Sequence, residues 1–154
     1  MSPRLQPFSA APDAYRSLLA LDSYVHGCGL SAEIIDLVQT RASQINNCAF
    51  CIDTHVKKAL DAGEDPQRLH LLAVWREASL FSARERAALA WSEAVTTVAS
   101  GPVPDVVYTE ALEHFGEADL VRLTIAVTAI NAWNRIGVAF RLDHPRGMDT
   151  RLLA

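Results

Sequence analysis

Residues 46–55 read Asn46-Asn47-Cys48-Ala49-Phe50-Cys51-Ile52-Asp53-Thr54-His55, and this stretch contains the pattern CxxCxxxH. The spacings of three and four residues match the period of an α-helix and predict that the stretch forms the start of one. At about 100° per residue, Cys51 and His55 lie about 300° and 340° around the helix from Cys48, so the three side chains fall within about 60°. The sequence therefore predicts two thiols and an imidazole on one helical face.

The two cysteines of this face are spaced for redox chemistry. On a helix the Cα atoms of residues i and i+3 are about 5 Å apart, a separation that a disulfide tolerates. A bridge between Cys48 and Cys51 would close so short a loop that it would contribute little stability, which makes a structural role a poor explanation. The positive end of the helix dipole near Cys48 favours a thiolate. His55 follows Cys51 by one turn, where it can accept the thiol proton directly or through a water.

A histidine that acts as a base usually has a partner that orients its ring, and the preceding predicted helix supplies two acidic candidates. Glu33 and Asp36 are three residues apart, one turn along that helix. A helical hairpin through Asn46-Asn47 would bring this face alongside His55. Both acids are also explained as solvated residues near the start of a helix, where they favour the helix dipole.

Outward from this stretch the apolar residues recur at helical spacing, and no alternation is long enough to predict a strand. The predicted fold is all-α, with six to seven helices in a single domain over residues 1–154. The helices are predicted at about 13–24, 31–45, 48–60, 66–78, 82–98, 103–115 and 117–140, with a possible break at 134–137. Start signals are present at Ser31, at Asp65-Pro66 and in the Ser82/Glu85 capping box. The tail after His144-Pro145 is predicted to be irregular.

The composition excludes several classes of protein. The chain has 154 residues, with 14 Lys and Arg against 18 Asp and Glu and a net charge of −4, which does not fit a basic nucleic-acid-binding protein. Half of the residues are apolar, as in globular domains. No apolar stretch approaches the ~20 residues that cross a bilayer, and residues 1–21 lack the apolar core of a signal peptide. We therefore expect a cytoplasmic protein with no nucleic-acid or membrane partner.

In a reducing cytosol a close cysteine pair is typical of redox or metal sites. A structural zinc site needs four ligands, and no second CxxC or HxxxH follows, so redox chemistry is favoured over a zinc knuckle or a pair of buried thiols. Haem attachment is excluded because Ile52 rather than a histidine follows Cys51. Cys28 lies between two glycines and is interpreted as packed or incidental. The histidines outside the motif, including His26, are interpreted as solvated or structural.

The pattern as a whole resembles the AhpD-like alkylhydroperoxidases of the carboxymuconolactone decarboxylase superfamily. Those proteins carry an acidic residue, eleven intervening residues and then CxxCxxxH. Asp36 stands twelve positions before Cys48, where the family usually has Glu, and Asn47 stands where Gly is common. The stretches 41–46, 75–78, 82–90 and 131–135 also resemble the family, so the likeness extends over about residues 31–141.

This resemblance implies a helical homo-oligomer, often a trimer or hexamer, and a peroxidase that needs no haem or metal. It assigns Cys51 as the peroxidatic cysteine, Cys48 as the resolving cysteine, and Asp36 as the acid that relays protons with His55. The substrate would be a small-molecule hydroperoxide, and the redox-active Cys48–Cys51 disulfide would take the place of a cofactor. A thiol or a lipoyl-bearing protein would be the reductant.

Two other functions stay open at this point. The superfamily is named for a decarboxylase, so a decarboxylase or lactone-processing enzyme is the first alternative, although that chemistry has no need of two adjacent thiols. The second alternative is a non-enzymatic, oligomeric redox sensor in which the disulfide switches assembly. Turnover with a thiol reductant would distinguish the enzyme from the sensor.

Overall fold

The computed structural model describes residues 2–143, and no strand is found among them. Within this range seven α-helices follow one another: α1 (Pro7–Ala10), α2 (Pro12–Gly27), α3 (Ala32–Ile45), α4 (Ala49–Asp61), α5 (Pro66–Leu71), α6 (Ala83–Thr96) and α7 (Asp105–Phe140). Short 3-10 turns follow α5 and α6, at Leu72–Val74 and Val98–Ser100. The all-α prediction is confirmed, and the CxxC pair lies at the start of α4 as predicted. The single-domain assignment stays a prediction, and the predicted irregular tail lies outside the described residues.

The helices begin at the capping residues that the sequence indicated. The Ser31 hydroxyl accepts a hydrogen bond from the backbone N–H three residues on, at 3.4 Å. The Asp65 carboxylate accepts one from the N–H two residues on, at 2.8 Å. Ser82 and Glu85 form a reciprocal capping box at the start of α6. Each cap gives a partner to a backbone donor at a helix end, a contribution of about 1 kcal/mol.

The helix predicted at 66–78 is wrong beyond Leu71. After α5 the chain passes through a 3-10 turn, and the guanidinium of Arg86 on α6 donates hydrogen bonds to the carbonyls of Trp75, Arg76 and Ala78 at distances of 3.0, 2.9 and 3.2 Å. In a continuing helix these carbonyls would accept from backbone N–H groups four residues on. A contact between distant parts of the chain therefore replaces the last turns of the predicted helix.

Of the two breaks predicted in the region of α7, the structure has the first and lacks the second. Gly116 divides α7 into residues 105–115 and 117–140, as predicted, because its φ of 69° lies in the left-handed region that glycine adopts without strain. The break predicted at 134–137 is wrong, and α7 continues to Phe140. The Asn134 amide bonds to Ser43 and Asn46 outside α7, so it does not compete for the backbone groups of its own helix.

α3 and the second part of α7 form the centre of the core. Their side chains with 2% exposure or less include Ile35, Leu37, Val38, Leu123, Ala126, Val127 and Ile130. α6 packs against both helices, and α2 and α4 pack against α7 as well. Ile130 extends this apolar packing to the two cysteines of the motif. Although α7 has 36 residues, no helix within residues 2–143 has the length and hydropathy of a membrane span.

The N-terminal segment lies over the end of α7. Arg4 donates hydrogen bonds to two carbonyls of the last turn of α7, at 3.0 Å from its backbone and 2.9 Å from its guanidinium. The rings of Phe8 and Tyr15 meet edge to face at a centroid distance of 5.5 Å, and Tyr15 meets Trp133 of α7 in the same way at 5.1 Å. These contacts hold α2 beside the part of α7 that packs on the cysteine pair.

Candidate active site

The cysteine pair lies at the N-terminus of α4. Cys48 is the N-cap residue, and its Sγ accepts the Cys51 N–H at 3.4 Å. The two residues form a disulfide with their Cα atoms 5.3 Å apart, so the predicted pairing across three residues is confirmed. Their exposed fractions are 1% and 4%. Both sulfurs therefore lie in a buried environment at the positive end of the α4 dipole.

The turn before Cys48 is held by asparagine side chains. Asn47 has a φ of 55°, a left-handed conformation that glycine and asparagine adopt more easily than other residues. The Asn46 side chain donates to the Oδ1 atoms of Asn131 at 3.0 Å and Asn134 at 2.8 Å, both on α7. Asn134 in turn donates to Ser43 Oγ on α3 at 3.0 Å. This network connects the turn between α3 and α4 to α7 and so positions the cysteine pair against that helix.

Gly137 of α7 packs directly against the disulfide. A Cβ atom at this position would lie 2.6 Å from Cys48 Sγ and 3.4 Å from Cys51 Sγ. The first distance is far below a van der Waals contact, so a larger residue would have to displace either the cysteine pair or α7. In the sequence, Gly137 stands out only as the end of the helix break predicted at 134–137. In the structure its role is to let the helix approach the sulfurs.

We expect Gly137→Ala to destabilise the protein by about 1 to 3 kcal/mol, the usual cost of overpacking a core. Alanine in a helix would by itself favour folding by roughly 0.5 to 1 kcal/mol over glycine, so the sign of the change reports the steric contact. The free energy of unfolding in urea measures it. The matched control is Gly27→Ala at the end of α2, where a Cβ atom meets nothing within 4 Å. Equal changes in the two variants would contradict the contact.

Cys51 lines a cavity of about 90 Å³, whereas Cys48 does not. The described residues that form its wall are Tyr15, Leu19, Asp22, Phe50, Cys51, Thr54, His55, Trp133 and Leu142. Most of this wall is apolar or aromatic. A small molecule in the cavity would lie against Cys51 and not Cys48, so the structure distinguishes two cysteines that the helical spacing alone treats as equivalent.

His55 shares the cavity with Cys51. Its Nδ1 atom is buried and has no hydrogen-bond partner among the described residues. Burial, together with the charges of Lys58 and His26, lowers the pKa of His55 to about 3. The imidazole is therefore neutral at physiological pH in this disulfide form. Once the cysteines are reduced, a neighbouring thiolate would favour the imidazolium through its opposite charge, as thiol activation requires.

Asp36 of α3 lines a different cavity, together with Glu33 and Glu64. Its side chain is 7% exposed, and its Oδ1 atom has no hydrogen-bond partner among the described residues. Burial raises the pKa of Asp36 to about 6; the Lys58 ammonium, 3.9 Å from Oδ1, opposes this shift, and Glu33 and Glu64 reinforce it. Asp36 can therefore take up or release a proton close to neutral pH.

No direct hydrogen bond joins Asp36 Oδ1 to His55 Nδ1, since both atoms lack a partner among the described residues. Lys58 lies one turn after His55, and its ammonium is 3.9 Å from Asp36 Oδ1 and 3.1 Å from His26 Nε2. The relay role of Asp36 stays a prediction. Lys58 and His26 could not be assigned to the site from the sequence, because neither belongs to the motif and His26 comes from α2. The helical spacing of Lys58 from His55 was the only signal in the sequence.

The third cysteine is separate from this site. Cys28 is a free, half-buried thiol that packs against the largest core cluster, in agreement with its interpretation as a packed residue. Within residues 2–143, no group of three or more His, Cys, Asp or Glu side chains is arranged to hold a metal ion. Trp133 packs beside the disulfide and lines the cavity. The structure thus adds Trp133 and Gly137 to the predicted site.

An all-α fold with a buried CxxC pair at a helix N-terminus, and a histidine one turn further on beside a cavity, defines the AhpD-like class of proteins. A sequence model of the Carboxymuconolactone decarboxylase family matches residues 12–94, more than half of the chain. The chain belongs to this family, as the resemblance of its motif implied.

Several relatives share this architecture or sequence. The uncharacterised protein YdfG of Bacillus subtilis is 37% identical over 139 residues, which cover 90% of this chain and 95% of YdfG. The uncharacterised protein YnjA of Escherichia coli is 32% identical over 110 residues, covering 71% of this chain and 60% of YnjA. The crystal structure of ATU0492 from Agrobacterium tumefaciens superposes with a TM-score of 0.92 at 42% identity, covering 94% of this chain and 99% of ATU0492. ATU0492 is described as a protein of unknown function, provisionally assigned as the antioxidant defence protein AhpD.

Proposed function

We propose that the protein is a cysteine-based alkyl hydroperoxide peroxidase, or disulfide oxidoreductase, that acts in antioxidant defence. The observation that carries this proposal is the position of Cys51, which lines an apolar cavity beside His55, while Cys48 is 1% exposed and does not line it. A peroxidatic thiol must meet the substrate, whereas a resolving thiol needs only to reach the first sulfur. The provisional assignment of ATU0492 to antioxidant defence supports the same activity.

Oxidation would proceed in two steps. The Cys51 thiolate attacks the terminal oxygen of the hydroperoxide and the O–O bond breaks, so that with one proton the products are a Cys51 sulfenic acid and an alcohol. The Cys48 thiol then attacks the sulfenic sulfur, which forms the disulfide and releases water. The hydroperoxide gains two electrons and the thiol pair loses two. His55 would accept the proton of Cys51 and return it to the departing alkoxide.

Asp36 would complete the proton relay with His55. The two buried atoms without partners, Asp36 Oδ1 and His55 Nδ1, are the kind of groups that buried water usually satisfies, so the relay would run through water. Because the electrons come from two thiols, the proposed reaction requires no haem or metal. The disulfide is nearly unexposed, which favours a slender external reductant such as a small dithiol or the lipoyl arm of a protein.

The proposal includes the assembly and compartment that the family resemblance implies, a cytoplasmic homo-oligomer that is a trimer or hexamer. Four large side chains of α7 are exposed: Val106, Tyr108, Val121 and Val138. A subunit interface along α7 would cover such residues, but single exposed apolar side chains also occur on monomers, so the proposed assembly rests on the family resemblance.

A free-thiol count tests the proposed reaction. The reduced chain has three thiols, and one equivalent of an organic hydroperoxide should remove two of them and leave Cys28. In Cys48→Ser, a sulfenic acid should be trapped on Cys51 by a dimedone-type reagent. Continued consumption of hydroperoxide with dithiothreitol would identify an enzyme, whereas oxidation without turnover would identify the redox sensor. A decarboxylase of the same family would lose no thiols, and that outcome would contradict the proposal.

A further inference from the structure

The residues that line the Cys51 cavity indicate which hydroperoxides the cavity accepts. Its apolar and aromatic lining residues include Tyr15 and Leu19 of α2, Phe50 of α4 and Trp133 of α7. The Tyr15 and Trp133 rings meet edge to face at 5.1 Å, so the aromatic part of the wall is held by packing. Burial also raises the pKa of Tyr15, which keeps its hydroxyl protonated. Such a wall favours an apolar organic group.

One side chain of the wall is anionic. Asp22 of α2 lines the cavity, and no Lys or Arg is among the described residues that do so. The Asp22 side chain is 27% exposed, and its carboxylate lies 3.7 Å from His26 Nε2. The described wall of the cavity thus contains a carboxylate and neither a lysine nor an arginine.

His26 does not neutralise this carboxylate. Lys58 Nζ lies 3.1 Å from His26 Nε2 and 3.3 Å from Nδ1, which disfavours a second positive charge there. Burial and then Lys58 lower the pKa of His26, against the opposite effect of Asp22, so the ring is mostly neutral at physiological pH. The charge of Lys58 is shared with Asp36, 3.9 Å away on α3. Of the other titratable groups of the cavity, Tyr15 keeps its proton, and any positive charge on His55 in the reduced protein would be balanced by the Cys51 thiolate from which its proton came.

We propose that the cavity selects uncharged, apolar hydroperoxides and that Asp22 is the residue that discriminates against anionic ones. This inference rests on the proposed peroxidase function. A hydroperoxide that carries a carboxylate would have to leave water for an apolar wall, and it would meet a charge of its own sign in the cavity that Cys51 lines. Specificity of this kind comes from repulsion of the wrong substrate as well as attraction of the right one.

Two hydroperoxides of the same shape test the selection. Cumene hydroperoxide and its para-carboxylate differ by one negative charge at pH 7.5. Each is mixed with the fully reduced protein, and the second-order rate of Cys51 oxidation is measured in a single turnover, with no reductant present. Each rate is divided by the rate of the same hydroperoxide with free 2-mercaptoethanol, which removes differences in intrinsic reactivity. We expect cumene hydroperoxide to react about tenfold faster on this scale.

Substitution of Asp22 separates its charge from the general effect of an apolar wall. Asp22→Asn should narrow the ratio of the two rates several-fold, because the repulsion is removed while the apolar wall stays. A ratio of two rates from one preparation is insensitive to any general change in Cys51 reactivity. The control is Asp53→Asn on α4, which makes the same change in charge at a residue that pairs with Lys57 and does not line the cavity. This variant should keep the wild-type ratio.

Three contrary results are possible. Equal normalised rates of the two hydroperoxides with the wild-type protein would overturn the selection against anionic substrates, while the peroxidase function would stand. An unchanged ratio in Asp22→Asn, or an equal narrowing in Asp53→Asn, would overturn the role of Asp22. If neither hydroperoxide oxidises Cys51, the proposed function fails and the inference fails with it.

Discussion

Replacement of Cys51 by serine is expected to abolish hydroperoxide turnover. A thiol has an ordinary pKa of about 8.5 and forms the nucleophilic thiolate near neutral pH, whereas a serine hydroxyl beside His55 does not ionise there. With dithiothreitol as reductant, the consumption of cumene hydroperoxide by Cys51→Ser should fall to the rate measured without protein. This is the largest effect that we expect from a single substitution.

The other two cysteines provide the comparisons for this result. Cys48→Ser should still consume one equivalent of hydroperoxide per chain without reductant, because the first step needs only Cys51. Cys28→Ser should keep turnover, since that thiol packs against the core away from the site. Full activity in Cys51→Ser would contradict the proposed function. Activity that depends on Cys48 for the first step, with Cys51 needed only for the disulfide, would exchange the two assigned roles.

The second large effect is on the pH dependence of stability, because burial raises the pKa of Asp36 and lowers the pKa of His55. Asp36 keeps its proton up to about pH 6 in the folded protein, but in the unfolded chain it ionises near pH 4, at about 3.9. The folded state therefore loses stability as the pH rises from 4 to 6, by about 3 kcal/mol in total. His55 is protonated below about pH 6.5 in the unfolded chain, but only near pH 3 when folded. The folded state therefore also loses stability as the pH falls from 6.5 to 4, by a similar amount.

Single variants should separate the two opposing effects of pH on the free energy of unfolding. Relative to the wild type, Asp36→Asn should be more stable by about 2 to 3 kcal/mol at pH 8 and lose this advantage at pH 4. His55→Gln should be more stable than the wild type at pH 4 and should lose this advantage at pH 8. Urea unfolding at pH 4, 5, 6, 7 and 8 measures both curves. A difference in packing changes the free energy of unfolding by the same amount at every pH. The test is therefore how the difference between variant and wild type changes with pH.

The double variant Asp36→Asn/His55→Gln is the control for these slopes. Its pH dependence relative to the wild type should equal the sum of the two single curves, provided that the groups do not couple strongly. Curves that run parallel to the wild type at all five pH values would show that neither side chain is buried in the way the structure describes.

The same Asp36→Asn variant also tests the relay. At pH 8 it should be more stable than the wild type and yet oxidise Cys51 more slowly, because a group that is costly to bury has been exchanged for one that cannot transfer the proton. Stopped-flow measurement of thiol loss with cumene hydroperoxide gives the rate. An unchanged rate would remove Asp36 from the relay without affecting the role of Cys51.

Local rules explain which features of the fold were predictable. The starts of α3, α5 and α6 follow from Ser31, Asp65 and Ser82, because a cap depends only on the next two or three residues. The end of α5 was not predictable in this way. It depends on the Arg86 guanidinium, which reaches back from α6 to take the carbonyls that a longer helix would have used.

The sequence by itself determined that the protein is all-α and that Cys48, Cys51 and a histidine recur at helical spacing, because these properties depend on residues three or four apart. Only the tertiary structure decided that Cys51 rather than Cys48 lines the cavity, that Gly137 packs against the sulfurs, and that Asp22 lines the same cavity as Cys51. It also placed Asp36 in a separate cavity, without a direct bond to the histidine. These features arise where α2, α3, α4 and α7 meet, and contacts between helices far apart in the chain leave no local pattern in the sequence.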